Sequence, residues 1–424
     1  MSLGSKEQQD RSVRSGSSLF GLGLSGEISG LQVAPHNRSG AYQRQGHSVD
    51  SITPYLDAWR VIRAGPREIV EGLVAPAHRG PSAELRAALA AWPHVHYWGA
   101  ADHAELVLVR PVAARRQEAW LLHLVLFAIT VICAVGAGAA LEAAYRPPTG
   151  QGVTGTLLAG LGFFPDFLSR TQQVVLSGWP FALPLLGILL VHELGHYVVA
   201  RRYAIDASPP YFLPIPPTLS PIGSLGAFLR LRSPVVDRRQ LLDVGAAGPL
   251  AGFVVVLLVL AWGYATSVSV TPALNPPGTF IEFAGAQYVL GDSLLTRAFR
   301  EYFLPGAISV HLSAPAFAGW AGALVTGLNL LPLSQLDGGH IAYGLLGRRQ
   351  TPLGLAVLVG LLYLAQFWAA WVVWVALTLV VGGFRWTHPS VLCPERAVPR
   401  SRQLLGWVCV AVFAATFMPV PFGG

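Results

Sequence analysis

Charge is scarce in this 424-residue chain: Asp, Glu, Lys and Arg together make up 12% of it, against about 25% in an ordinary soluble domain. Apolar residues make up 53% and mean hydropathy is +0.50. That balance excludes a soluble protein of this size and suits a polytopic membrane protein. Cysteine is nearly absent. Of Cys133, Cys393 and Cys409, two lie in apolar runs and none is spaced as a metal knuckle, so no disulfide framework is expected. No apolar core stands near the N-terminus, so no cleavable secretory signal is expected either. The paired repeats of many transporters are also missing. The net charge of +7 is carried largely by arginine. In a membrane protein such an excess is a topology signal, not a nucleic-acid footprint.

Residues 1–52 are rich in Ser, Gly, Arg and Gln and are expected to form a disordered tail. Glu7, Asp10 and Glu27 count against a transit peptide. Residues 53–117 have the composition of a small soluble α/β domain. Arg67–Val74 suits a strand and Ser82–Trp92 a helix; Val95–Trp98 and Glu105–Val109 alternate like the strands of a hairpin. His94, His96 and His103 read as exposed histidines near a turn rather than a metal site.

Residues 118–424 form the membrane-embedded part, expected to be all-α. Spans are expected at about 119–141, 179–200, 244–265, 315–336 and 404–418, with a hairpin of two short helices in 353–383 turning near 366–370. That makes about seven transmembrane helices. Residues 142–177 and 267–313 are expected as external segments. Arg110, Arg115 and Arg116 precede the first span, and Arg201, Arg202, Arg230, Arg232, Arg238 and Arg239 follow the second. They place the N-terminal domain and the 201–243 segment in the cytoplasm.

The second span carries Val191-His192-Glu193-Leu194-Gly195-His196-Tyr197. On a helix, i and i+4 share one face, so His192 and His196 can bind one metal ion. Glu193 is placed to take a proton from a metal-activated water. An ionisable cluster inside an apolar run is costly unless it is paired or functional. A zinc site that keeps one position open for water needs a third ligand. Asp337 is the carboxylate that the topology brings to the same side, with His340 ranked well below it. Asn329, read as two turns earlier, is placed to bond substrate backbone or an oxyanion, and Gly338 is grouped with it at that subsite. Gly338 and Gly339 are expected to let the chain turn sharply beside Asp337.

Between the second and third spans, Pro209, Pro210, Pro214, Pro216, Pro217, Pro221 and Pro234 exclude helix. Residues 226–231 suit an extended edge. The segment is either a hairpin that takes substrate as an added strand or a loop dipping into lipid headgroups. The third span opens Gly245-Ala246-Ala247-Gly248-Pro249-Leu250-Ala251-Gly252, a helix-packing signal without chemistry of its own.

His-Glu-Leu-Gly-His-Tyr at 192–197, Ser208 to Pro214, Gly245 to Gly252 and Asn329 to His340 together resemble the site-2 protease family of intramembrane metalloproteases. Within it they are most similar to the ethylene-dependent gravitropism-deficient and yellow-green-like homologues of plastids and bacteria. The resemblance implies one zinc per chain on His192, His196 and Asp337, with Glu193 as catalytic acid and base. It also implies a three-helix catalytic core at about 178–340. The implied reaction is hydrolysis of a peptide bond within or near a substrate's transmembrane segment. The alternative is a protease-like scaffold without activity, or a transporter. Plant members carry Gly-Asn-Leu-Arg in the soluble domain where this chain has Val74 to Gly80, so no role of that motif is carried over. The expected location is a bacterial cytoplasmic membrane with the N-terminus inside, a plastid membrane being the alternative; oligomeric state is left open.

Overall fold

A computed structural model describes residues 51–423 apart from 65–66, 100–101, 112–117, 144, 148–149, 151, 233–234, 273–274, 382–387, 389–390, 392 and 395. The tail expected over 1–52 lies outside the described residues except for Ser51 and Ile52, as do Arg115, Arg116 and Pro234.

The first elements are β1 (Leu56–Ala64), β2 (Arg67–Val74), α1 (Ala83–Ala91), β3 (Val95–Trp98) and β4 (Glu105–Pro111). The strands pair antiparallel in the order β1-β2-β4-β3. Ser82 caps α1 by accepting the Leu85 amide at 3.2 Å. Alternation along β2 and β4 sends Val70, Val74, Leu106 and Leu108 to the face that α1 covers with Leu85 and Leu89. Ile69, Val107 and Val109 go to the opposite face, where they meet Ala204, Val236 and Cys393. The sheet therefore sits on the end of the helical part.

That part begins with α2 (Trp120–Leu141), α3 (Gly152–Ser169) and α4 (Thr171–Arg202). The region expected as an external loop at 142–177 is thus largely helical. It contains α3 and about the first two turns of α4; Phe163 packs at Gly136 of α2, and Phe163 and Phe167 are buried. Next come β5 (Tyr211–Pro214), β6 (Ser224–Phe228) and α5 (Arg238–Thr266). β5 and β6 form an antiparallel hairpin, and residues 229–231 lie beyond its edge strand. The tip of the hairpin reaches membrane depth: a Cβ on Gly223 would lie 2.6 Å from the Cys133 carbonyl, midway along α2.

Residues 267–313, expected as an outer loop, fold instead into β7 (Val268–Val270), β8 (Gly278–Phe283), β9 (Ala286–Leu290), α6 (Leu294–Phe303) and β10 (Ser309–His311), with sheet order β7-β10-β8-β9. β8 and β9 form a local hairpin, but β10 joins it non-locally, lying parallel to β8 and antiparallel to β7. Then follow α7 (Ala314–Asn329), α8 (Asp337–Leu346), α9 (Gln350–Leu364), α10 (Ala370–Val381) and α11 (Arg400–Thr416). The fourth span does not run on to Leu336. It stops at Asn329, and Asp337 starts a separate helix after an irregular bend in which Ser334 takes a φ of 45°.

Among the described residues, α2, α4 and α5 are long and apolar enough to cross a membrane by length and composition. The other apolar helices, α7, α9, α10 and α11, are shorter. Arg385, just beyond the expected 353–383 hairpin, lies outside the described residues.

Where the soluble sheet meets the helices, Glu71 is fully buried and is bonded by Arg60 at 2.5 Å, with Arg396 at 3.4 Å. Arg396 also lies 3.5 Å from Asp237, the residue whose carboxylate caps α5. Removing one partner of a buried ion pair leaves the other uncompensated, at a cost of about 3–5 kcal/mol. Glu71→Ala is therefore expected to raise amide exchange along β2 steeply while leaving exchange in α7 unchanged, as measured by hydrogen–deuterium exchange in detergent.

Candidate metal centre

His192, Glu193 and His196 lie in the second half of α4, about 9–15 Å along the helix from its end at Arg202. The i,i+4 step brings the two imidazoles together, with 3.1 Å between their Nε2 atoms. Asp337, the first residue of α8, closes the triangle: Oδ2 is 3.2 Å from His192 Nε2 and Oδ1 is 3.2 Å from His196 Nε2. Among the described residues this is the group of three or more His, Cys, Asp or Glu side chains whose ligand atoms converge.

Two observations test whether the residues suit a metal. Zinc bonds of about 2.0–2.1 Å in a tetrahedron separate neighbouring ligand atoms by about 3.3 Å, close to the three distances here. The second is the tautomer of His196. Its Nδ1 lies 2.8 Å from the Val244 carbonyl, which can only accept, so Nδ1 carries the proton and Nε2 presents a lone pair to the centre. That nitrogen then faces a carboxylate and a second imidazole, an arrangement that a cation satisfies. The donor set of two imidazoles and a carboxylate is one that zinc takes.

Glu193 is 3% exposed, and its Oε2 has no hydrogen-bond partner among the described residues. A buried carboxylate oxygen without a partner is rare and calls for an explanation such as catalysis. Asn329, the last residue of α7, places its Nδ2 3.4 Å from His192 Nε2. Gly338 lies in the first turn of α8, where a Cβ would meet the Leu330 carbonyl at 2.0 Å, so its packing against the bend requires glycine. The sharp turn is at Ser334 and not at Gly338 or Gly339. His340 stands apart from the triangle and bonds His388 at 2.7 Å.

The sequence reading missed the floor of the site. A Cβ on Gly248 would lie 2.0 Å from His196 Nε2, and one on Gly252 would lie 3.0 Å from the Cβ of His192. α5 runs antiparallel to α4, so one four-residue step along each helix sets Gly248 beneath His196 and Gly252 beneath His192. The matching four-residue steps were the available signal, but only the pairing of the two helices shows that they face each other.

Residues 180–368 match Peptidase family M50. The chain carries an M50 domain. This agrees with the site-2 protease resemblance of its motifs, and the matched stretch holds all three ligand candidates. The chain is 32% identical over 266 residues to the probable zinc metalloprotease EGY2, chloroplastic, of Arabidopsis thaliana, covering 61% of this chain and 45% of that protein. It is 30% identical over 232 residues to the probable zinc metalloprotease EGY1, chloroplastic, of the same plant, covering 54% and 40%. With EGY2 of Oryza sativa subsp. indica it shares 31% over 276 residues, covering 63% and 48%. The chain thus spans about half the length of the curated relatives it matches. No solved structure matches the chain.

In the M50 domain Gly248→Ala is expected to push the His196 ring aside and weaken zinc binding about 10–100-fold. Gly187→Ala, where a Cβ would meet nothing within 4 Å, is expected to leave it unchanged. Zinc titration of the purified variants against a competing chelator checks both.

Proposed function

We propose that this chain is an intramembrane zinc metalloprotease that hydrolyses a peptide bond within or next to a substrate's transmembrane segment. The observation that carries the reading is the three-atom triangle of His192, His196 and Asp337 beside a buried glutamate with an unpartnered oxygen. One zinc per chain is the proposed complement, held by those three residues. Zinc, when bound, supplies Lewis acidity toward the scissile carbonyl and makes water more acidic. Glu193 accepts the water proton and returns it to the leaving amine. Burial among apolar helices keeps bulk water from Glu193, so only water admitted to the site reaches it. Asn329 donates from Nδ2 to the substrate carbonyl or to the oxyanion that develops there. Gly338 is proposed only as the close backbone contact that sets Asp337 in place.

A substrate helix hides its peptide groups in its own hydrogen bonds and must open before attack. The extended strand then needs partners, since the bilayer core offers none. β6 supplies them: β5 packs mainly against α2, whereas β6 also contacts α4, the helix that carries His192 and His196. Pairing of the opened substrate with β6 is the proposed mode of capture. Substrates with Gly, Pro or Asn at membrane depth open most easily and are the proposed class.

The proposed setting is a multi-pass protein with the soluble domain and the ends of α4 and α5 in the cytoplasm or its equivalent. Composition suggests a bacterial membrane; the chloroplastic relatives favour a plastid one. An inactive scaffold is disfavoured because both histidines, the glutamate and the aspartate are all present and converge.

Metal analysis and proteolysis of a transmembrane test substrate separate the roles. Glu193→Gln is expected to keep zinc and lose on the order of 10²–10⁴ in cleavage rate. Asp337→Ala is expected to lose zinc and cleavage together. Full cleavage by Glu193→Gln, or a folded wild type that takes up no zinc, defeats the proposal.

A further inference from the structure

We infer that the cleft between the basic ends of α4, α5 and α11 binds the phosphate headgroup of an anionic phospholipid. The cleft has a volume of about 430 Å³. It lies where α4 ends at Arg202 and where α5 and α11 begin at Arg238 and Arg400, the arginine-rich level of the helical part. Basic pockets between helices at this level are suited to anionic lipid headgroups.

The charges in the cleft do not cancel. Asp243 is paired with Arg402, whose Nε lies 2.7 Å from Oδ1 and donates to Oδ2 at 3.0 Å, and the Tyr203 hydroxyl donates to the same Oδ2 at 2.5 Å. Arg402 is engaged with Asp243 and Tyr203. Arg202 lines the same cleft and has no ion pair or hydrogen bond among the described residues. The cleft therefore holds two guanidiniums against one carboxylate, and that of Arg202 is left for an incoming anion. A guanidinium fork matches phosphate oxygens two at a time.

The rest of the lining decides in favour of a lipid over a free anion. Val199, Ala247, Leu250 and Leu405 form the apolar side. Inorganic phosphate gains nothing from that surface, whereas the first methylenes of an acyl chain bury against it. The flanking surfaces, with Leu194 and Val198 on α4 and Leu404 and Trp407 on α11, are exposed and apolar, so an acyl chain leaving the cleft continues along them. The bound lipid would brace α5 against α4 at Ala247, the neighbour of Gly248.

The test uses the full chain, purified in mild detergent and stripped of lipid, and does not depend on protease activity. Native mass spectrometry and thermal unfolding are read with added phosphatidylglycerol, phosphatidylcholine or inorganic phosphate. The expected result is one tightly held phosphatidylglycerol per chain, with a raised melting temperature that neither phosphatidylcholine nor inorganic phosphate reproduces. Arg202→Gln is expected to weaken the complex about fivefold. Leu405→Trp, which fills the apolar side without changing charge, is expected to weaken it as well; both variants keep wild-type zinc content. Equal retention of phosphatidylcholine, equal stabilisation by inorganic phosphate, or undiminished phosphatidylglycerol binding in both variants overturns the assignment.

Discussion

The centre of this protein depends on α5 lying against α4 with no α5 side chain at Gly248 and Gly252, where the α4 histidines pack. His196 Nε2 occupies the space that a Cβ on Gly248 would need, and His192 rests on Gly252 in the same way. Gly195 completes the contact from the other side, where a Cβ would meet the Ala247 carbonyl at 2.5 Å. Helices in an apolar medium associate through such close packing, since lipid provides no hydrophobic drive between them. Here the contact also orients chemistry. The backbone of α5 comes near enough for the Val244 carbonyl to hold the His196 proton on Nδ1. A larger residue on α5 would separate the helices and release the ring.

The second requirement is irregular backbone at depth, and the fold supplies it only where protein covers it. The bend between α7 and α8 swings Asp337 back toward α4. Its polar groups are met locally, with the Leu333 amide on the Leu331 carbonyl at 2.7 Å and Gln350 donating to the Pro332 carbonyl at 3.0 Å. The β5–β6 hairpin is held in the same manner by α2 and by the pairs between Ser208 and Arg230 and between Asp206 and Arg232. Unpaired peptide groups in a bilayer cost several kcal/mol each, which is why the bend is enclosed and the hairpin strands pair with each other and rest on α2.

α5 also joins the two halves of the molecule. Its first turn is capped by Asp237, which is backed by Arg396, and Arg239 donates to the Trp98 carbonyl on the edge strand β3. The soluble sheet thus rests on the same helix whose glycines form the floor of the metal centre three turns further on.

Much of this was legible in the chain because it is local. Apolar runs mark α2, α4 and α5, and the spacing of His192, Glu193 and His196 places them on one helical face, since both follow from the period of a single helix. Val95–Trp98 alternates and is a strand for the same reason. The identity of Asp337 as the third converging group came from topology and resemblance; its position at the head of a separate helix came only from the bend at Ser334. Phe163 and Phe167 gave no amphipathic signal strong enough to mark α3, because their burial depends on α2. The sheet of β7 to β10 was hidden in part because β10 pairs with β7 and β8 across long separations. The run from Gly245 to Gly252 announced close packing, but what it packs against is a property of two helices in one register. By itself the sequence determined the long apolar helices α2, α4 and α5 and pointed to residues whose side chains suit a metal, as periodicity and side-chain type are local. The tertiary structure alone decided how the groups converge, because three ligand atoms 3.1–3.2 Å apart require a helix, a bend and a glycine floor to meet.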